Sequence, residues 1–211
     1  MQPGDIFQIV VLIFSVVLHE VAHGYMANYL GDPTARLQGR LTLNPLKHID
    51  PMGSVFLPLI LKLTGSPILI GYAKPVPYNP YNLKGKWGEA LVAFAGPGTN
   101  ILLALIFGLI IRVFGGVIDP TLLGAFAIIA FINMLLALFN LIPIPPLDGS
   151  KILSELLPGE LGRAYGRFRE SFERLGVLTG TLIILVLFYF LSPYFGAFLG
   201  QLFGLLTGLS F

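Results

Sequence analysis

The chain has 211 residues, of which 55% are apolar and only 11% charged, with a formal net charge of +2 and a mean hydropathy of +0.82. Soluble domains carry about 25% charged residues, so the composition excludes a domain coated with water-facing charge. The small net charge, with no basic and aromatic patch, excludes nucleic acid as a partner, and the lack of cysteine excludes disulfides and thiolate metal sites.

An all-α polytopic membrane protein is expected, with about five transmembrane helices, a re-entrant segment and a small β element. The first span runs from Ile6 to Leu30, and its uncharged-to-acidic leader, Met1 to Asp5, is unlike a cleavable signal. Ala35, Leu37, Gly39, Leu41 and Leu43 then alternate with polar residues, a period of two that predicts a strand. Met52 to Leu63 is an apolar run of only 12 residues, too short to cross, and is expected to turn back within the membrane. Ile68 to Ala73 is a second strand candidate, closed by Lys74-Pro75-Val76-Pro77. Trp87 to Phe114 and Leu122 to Ile142 are each long enough to span. Between Glu160 and Leu175, apolar residues at four- and three-residue steps predict an amphipathic helix along the membrane surface. Val177 to Leu191 and Phe195 to Phe211 read as a helical hairpin broken at Ser192-Pro193-Tyr194. Gly196, Gly200, Gly204 and Gly208 form a small-residue stripe, suited to packing on the protein's own core or on a second copy in a homo-oligomer. The whole is expected to be one membrane-embedded domain, 1–211, with a core at 1–150, an interfacial helix within 151–176 and the hairpin at 177–211.

The chemistry is concentrated in the first span. His19-Glu20-Val21-Ala22-His23 is an HExxH pattern. Positions i and i+4 share a helix face, so both imidazoles can bind one metal ion. Glu20 can take a proton from water activated by that ion without being a ligand itself. Ionisable groups inside a bilayer are costly and are functional by default. A third protein ligand is required, and His48, Asp50, Asp119, Asp148 and the glutamates are the candidates. Asp148 stands out because three prolines in Asn140-Leu-Ile-Pro143-Ile-Pro145-Pro146-Leu147-Asp148-Gly149 deny that stretch a regular helix. Unwound backbone at membrane depth is tolerated where it lines a cavity. Two imidazoles and a carboxylate favour zinc. A metal or proton transporter would also keep His and Glu in a span, but such proteins usually show repeat symmetry, and none is visible here.

HExxH in the first span, followed by Asn140…Pro143…Leu147-Asp148-Gly149, resembles the site-2 protease family of intramembrane zinc metalloproteases. The stretch Ala95-Gly96-Pro97-Gly98-Thr99-Asn100 is similar to a further pattern of that family. The resemblance implies a zinc-dependent endopeptidase that cuts other membrane proteins within or near their transmembrane segments, in regulated intramembrane proteolysis. It implies zinc ligation by His19, His23 and Asp148, and a general base at Glu20. Asn140 would lie beside the site and hold the substrate backbone. Asn100 is a candidate for substrate contact or for helix packing, and Asn133 for interhelical hydrogen bonding. His48 and Asp50 fit either polar support near the site or a simple loop. Larger members carry a PDZ or a CBS domain, and no loop here is long enough to hold either.

Charge gives an independent test of the topology. The ends of the first span and of the Leu122 span must reach one side if His19, His23 and Asp148 are to meet. With Met52–Leu63 turning back, loops 31–86 and 143–176 share that side and hold 12 of the 13 lysines and arginines, leaving Arg112 opposite. By the positive-inside rule that side is the cytoplasm, and a multi-pass protein of the plasma membrane is expected.

Overall fold

The computed structural model describes residues 3–50 and 73–209. Among these, seven helices follow one another: α1 (Pro3–Tyr29), α2 (Thr34–Leu37), α3 (Gly88–Phe114), α4 (Pro120–Asn140), α5 (Asp148–Leu156), α6 (Gly159–Glu173) and α7 (Gly176–Thr207). Four of them contain apolar spans, at Gly4–Tyr29, Gly88–Phe114, Pro120–Asn140 and Leu182–Thr207, with mean hydropathies from 2.0 to 2.6. No more than 33% of any of these spans is buried in the protein. Their remaining apolar surface requires a lipid environment.

The bundle is organised around α3, which packs against α1, α4, α5 and α7. Its buried face carries Ala93, Gly96, Asn100, Ala104, Gly108 and Ile111 at three- and four-residue steps. Small residues on such a stripe let helix backbones approach closely in lipid, where no hydrophobic force draws helices together. A β-carbon at Gly108 would overlap the Leu206 side chain, so this glycine sets the α3–α7 contact. Ala104, Ile111, Ala130, Met134, Leu199 and Phe203 fill the space between α3, α4 and α7. Phe131 meets Phe203 there edge to face, with ring centres 5.7 Å apart. At the start of α4, Pro120 occupies the first turn and the Asp119 carboxylate accepts the N–H groups of Thr121 and Leu122.

The expected β element is not found among the described residues. The alternating stretch at Ala35–Leu43 begins with the helical turn α2, and the rest is irregular. Its alternation does not mark two faces: Ala35 is buried, while Leu37 and Leu43 are exposed. Asp32 decides the local structure by accepting both the N–H and the hydroxyl of Thr34, which turns the chain as it leaves α1. The expected strand at Ile68–Ala73, apart from its last residue, and the expected re-entrant run at Met52–Leu63 lie outside the described residues.

The expected C-terminal hairpin is one continuous helix, α7, with Pro193 inside it. Proline removes the N–H that would bond the carbonyl four residues earlier, here Tyr189. The neighbouring Ser192 hydroxyl donates to that same carbonyl at 2.9 Å, so the helix passes the proline without a break. The described residues thus contain four candidate spans. Among the described residues, no neighbouring element comes within 4 Å of where a β-carbon would sit at Gly196 or Gly200. The amphipathic helix is present as α6. Tyr165 donates its hydroxyl to the Pro143 carbonyl at 2.8 Å, and Arg169 pairs with Glu89 at the start of α3 at 3.1 Å.

One buried carboxylate joins the end of α1 to the approach to α3. Asp32 accepts the Asn79 N–H at 2.7 Å and the Asn82 side-chain amide at 2.9 Å, and the Lys84 N–H reaches the Leu30 carbonyl at 2.8 Å. The chain thus leaves α1 and enters α3 at the same end of the bundle. Burial alone would push the Asp32 carboxyl up; the hydrogen bonds from Asn82, Thr34 and Asn79 outweigh it and hold this group below its ordinary value. A carboxyl depressed by folding adds stability above its unfolded pKa of about 4, and that stability is lost as pH falls through the folded value. Thermal unfolding in detergent should therefore show wild type more stable than Asp32→Asn near neutral pH, with the gap closing as the pH is taken below about 4.

Candidate metal centre

His19 and His23 lie on one face of α1, with ring centres 4.6 Å apart and planes at 85°. That face packs against α3 at Gly96, where a β-carbon would overlap the His23 ring and lie 2.7 Å from His19 Cε1. Only glycine leaves room for both rings between the two helices. The same segment of α3 supplies their partners: the Val92 carbonyl lies 2.7 Å from His23 Nδ1, and the Asn100 side-chain oxygen 2.6 Å from His19 Nδ1.

Asp148 arrives from the other side. The chain after α4 is unwound from Leu141 to Leu147, and Asp148 begins α5, a short helix that the sequence did not lead one to expect. A β-carbon at Gly149 would overlap the Leu141 carbonyl, so the glycine lets α5 start directly against the unwound strand of chain. Asp148 Oδ2 then lies 3.1 Å from His19 Nε2 and 3.2 Å from His23 Nε2, and the two Nε2 atoms are 3.0 Å apart. All three residues are buried.

The chemistry of this donor set follows from where the protons are. A carbonyl oxygen only accepts, so His23 Nδ1 carries a proton and donates it to Val92. His19 Nδ1 likewise donates to the Asn100 oxygen. In neutral imidazoles the Nε2 atoms are then bare, and three electron pairs converge within about 3 Å of one another in a buried place. Such an arrangement requires positive charge at its centre, from a proton added to one ring or from a metal ion. The ligand atoms of His19, His23 and Asp148 all lie within 4.8 Å of one another. Two imidazoles and a carboxylate suit zinc, with a fourth position left for water. Their geometry fits the ion.

The centre opens on a cavity of about 190 Å³, whose walls include Glu20, Tyr78, Asn140 and Lys151. Glu20 accepts the Val76 N–H at 2.8 Å, while Arg40 donates to the Lys74 carbonyl at 2.8 Å and holds the segment carrying Val76. Asn140, at the end of α4, donates to the Leu136 carbonyl at 2.9 Å and lines the same cavity. Asn100 does not line it. Fully buried, Asn100 donates to Asn133 at 2.8 Å, and its oxygen faces His19, an arrangement in keeping with the helix-packing one of its two readings. His48 is buried elsewhere and donates to the Thr42 carbonyl at 2.9 Å, Asp119 caps α4, and neither they nor Asp50 join the cluster.

Lys151 was not legible from the sequence as a member of the site. Its ammonium stands 3.8 Å from Asp148 Oδ1 and 5.5 Å from the centre of the Tyr78 ring. Burial alone would push it down; Tyr78, Asp148, Glu89 and Glu20 around it more than offset that and keep it protonated. Its sequence signal is its spacing of three from Asp148, which carries meaning only once the two share a helix.

A family model, that of peptidase family M50, matches residues 7–118 and 113–187. YwhC of Bacillus subtilis is 38% identical over 86% of this chain and 80% of its own length. Rip2 of Mycolicibacterium smegmatis is 31% identical over 83% of this chain, which spans 63% of that protein. MJ0392 of Methanocaldococcus jannaschii is 26% identical over 87% of this chain and 42% of its own length. Each of the three carries the words zinc metalloprotease in its name. No solved structure matches the chain.

Purified in detergent, wild type should hold one zinc ion by elemental analysis. Asp148→Ala should lower zinc affinity at least about 100-fold, the scale on which loss of one of three ligands exceeds loss of an outer partner. Gly96→Ala should do the same by displacing the rings, although it removes no ligand.

Proposed function

The chain belongs to peptidase family M50, the site-2 protease family, and from that premise we propose that it cuts membrane proteins within or beside their transmembrane segments, as a step of regulated intramembrane proteolysis. It is a zinc-dependent membrane metalloprotease. The observation that carries the finer reading is the convergence of His19, His23 and Asp148 at the end of a bundle of apolar helices, beside Glu20.

In this reading His19 Nε2, His23 Nε2 and Asp148 Oδ2 hold the ion. Zinc supplies Lewis acidity when bound, acidifying water and polarising an amide carbonyl. Glu20 is the general base: it accepts the proton of the attacking water and returns it to the leaving amine. Its place in the wall of the cavity, beside His19, His23 and Asp148, supports this role. Lys151 sits on the opposite oxygen of Asp148 and keeps positive charge beside the cavity, where a carbonyl oxygen gains negative charge as water attacks. Asn140 offers its amide to the substrate backbone.

A substrate helix hides its carbonyls in its own hydrogen bonds, so in this reading the stretch that is cut is unwound and enters the cavity extended.

The site end of the bundle is the cytoplasmic one in this proposal. Arg112 lies near the opposite end of α3, donating to the Leu205 carbonyl at 2.9 Å, and the remaining lysines and arginines belong to loops 31–86 and 143–176.

Incubation with a model transmembrane substrate in detergent or vesicles tests the reading. Glu20→Gln should retain zinc yet lose at least about 100-fold in cleavage rate, the range expected of a positioned general base. Cleavage at wild-type rate by Glu20→Gln would remove the mechanism.

A further inference from the structure

A row of buried polar groups runs behind the metal centre. Ser15 on α1, Asn100 on α3 and Asn133 on α4 are all nearly or fully buried amid apolar helices. Amides so placed must be paired, and the partners fix which way each one points. The Asn133 amino group donates to the Ile129 carbonyl at 2.9 Å and to the Ser15 hydroxyl at 3.0 Å. A carbonyl cannot donate, so the Asn133 amino end faces Ile129 and its oxygen faces Asn100. Asn100 must then donate towards it, which it does at 2.8 Å, while its amino group also reaches the Ser15 carbonyl at 3.4 Å. The oxygen of Asn100 is left facing His19 Nδ1.

We infer that Asn100, oriented by Asn133, is a positioning residue that fixes His19 as its Nδ1–H tautomer and so turns a bare Nε2 towards the metal. The inference rests on the assignment of His19, His23 and Asp148 as the zinc ligands. His23 receives the same service from a backbone carbonyl, Val92, which no substitution removes. His19 has no such carbonyl, and its tautomer depends on two side chains. Partners of this kind both orient a ligating imidazole and raise its basicity. Inverting Asn133 would set its amino group against that of Asn100, and inverting Asn100 would set its oxygen against those of Asn133 and Ser15, so the orientation passes from the Ile129 carbonyl to His19 without an alternative.

Two measurements on the full chain in detergent test this: zinc affinity by competition with a chelating dye, and nitrogen NMR of 15N-histidine-labelled, zinc-free protein, which reports the tautomer directly. Asn100→Leu should lower zinc affinity about 10- to 100-fold and remove the Nδ1–H signature from one of the histidines. Asn100→Asp should stay within a few-fold of wild type and keep that signature, because one carboxyl oxygen accepts the same proton while the other, kept protonated by its apolar surroundings, donates to Asn133. Asn133→Leu should weaken zinc binding in the same direction, by less than Asn100→Leu. A folded Asn100→Leu that binds zinc as wild type does, or an Asn100→Asp as weak as Asn100→Leu, overturns the inference. If Asn100→Leu does not fold, Asn100→Asp decides: wild-type affinity with the Nδ1–H signature supports it, and loss of either overturns it. Wild-type zinc affinity in His23→Ala and Asp148→Ala would instead remove the ligand assignment, a result separable from the NMR signature of the Asn100 variants.

Discussion

Three electron pairs aimed at one another in a lipid-embedded bundle are the constraint around which this protein is built. Left alone they repel, and every nearby feature holds them together regardless. Gly96 lets α3 press against both imidazoles, Val92 and Asn100 occupy the outer ring nitrogens, and Gly149 lets α5 start where Asp148 can reach inward. A cation relieves the repulsion, and the same cation is what a water-activating centre needs.

The helices around the centre answer to a different requirement. In lipid they gain little from burying leucine, so close approach comes from small residues and from polar groups that find partners. The α3 helix provides both on one stripe, with Ala93, Gly96, Ala104 and Gly108 for contact and Asn100 for hydrogen bonding. Outside the membrane core the connections use ordinary means. Asp32 collects Thr34, Asn79 and Asn82 around one carboxylate, and Arg169 pairs with Glu89 where α6 meets α3.

Much of the site was legible in the sequence because its signals are local or chemically costly. HExxH places two histidines on one helix face by spacing alone, and a carboxylate after a proline-rich unwound stretch stands out in an apolar chain. The resemblance joined them. The fold was read less well where the signal was only a pattern. Alternation at Ala35–Leu43 was too short to bury a face, and Asp32 turned it into a helical turn. Pro193 looked like a break because the repair lies in the next residue: the Ser192 hydroxyl takes the carbonyl that proline abandons. Lys151 was invisible for another reason, since its meaning depends on which helices become neighbours, and no spacing along the chain encodes that. Interhelical bonding by Asn133 was legible, but not that it turns the Asn100 oxygen towards His19.

The division of the centre between two parts of the chain has a mechanical consequence. Two donors ride on α1 and the third on the first residue of α5, and both of these helices are packed against α3. One helix thus serves as the common wall for a seat whose halves are far apart in the chain. A displacement of that wall is felt by every donor at once.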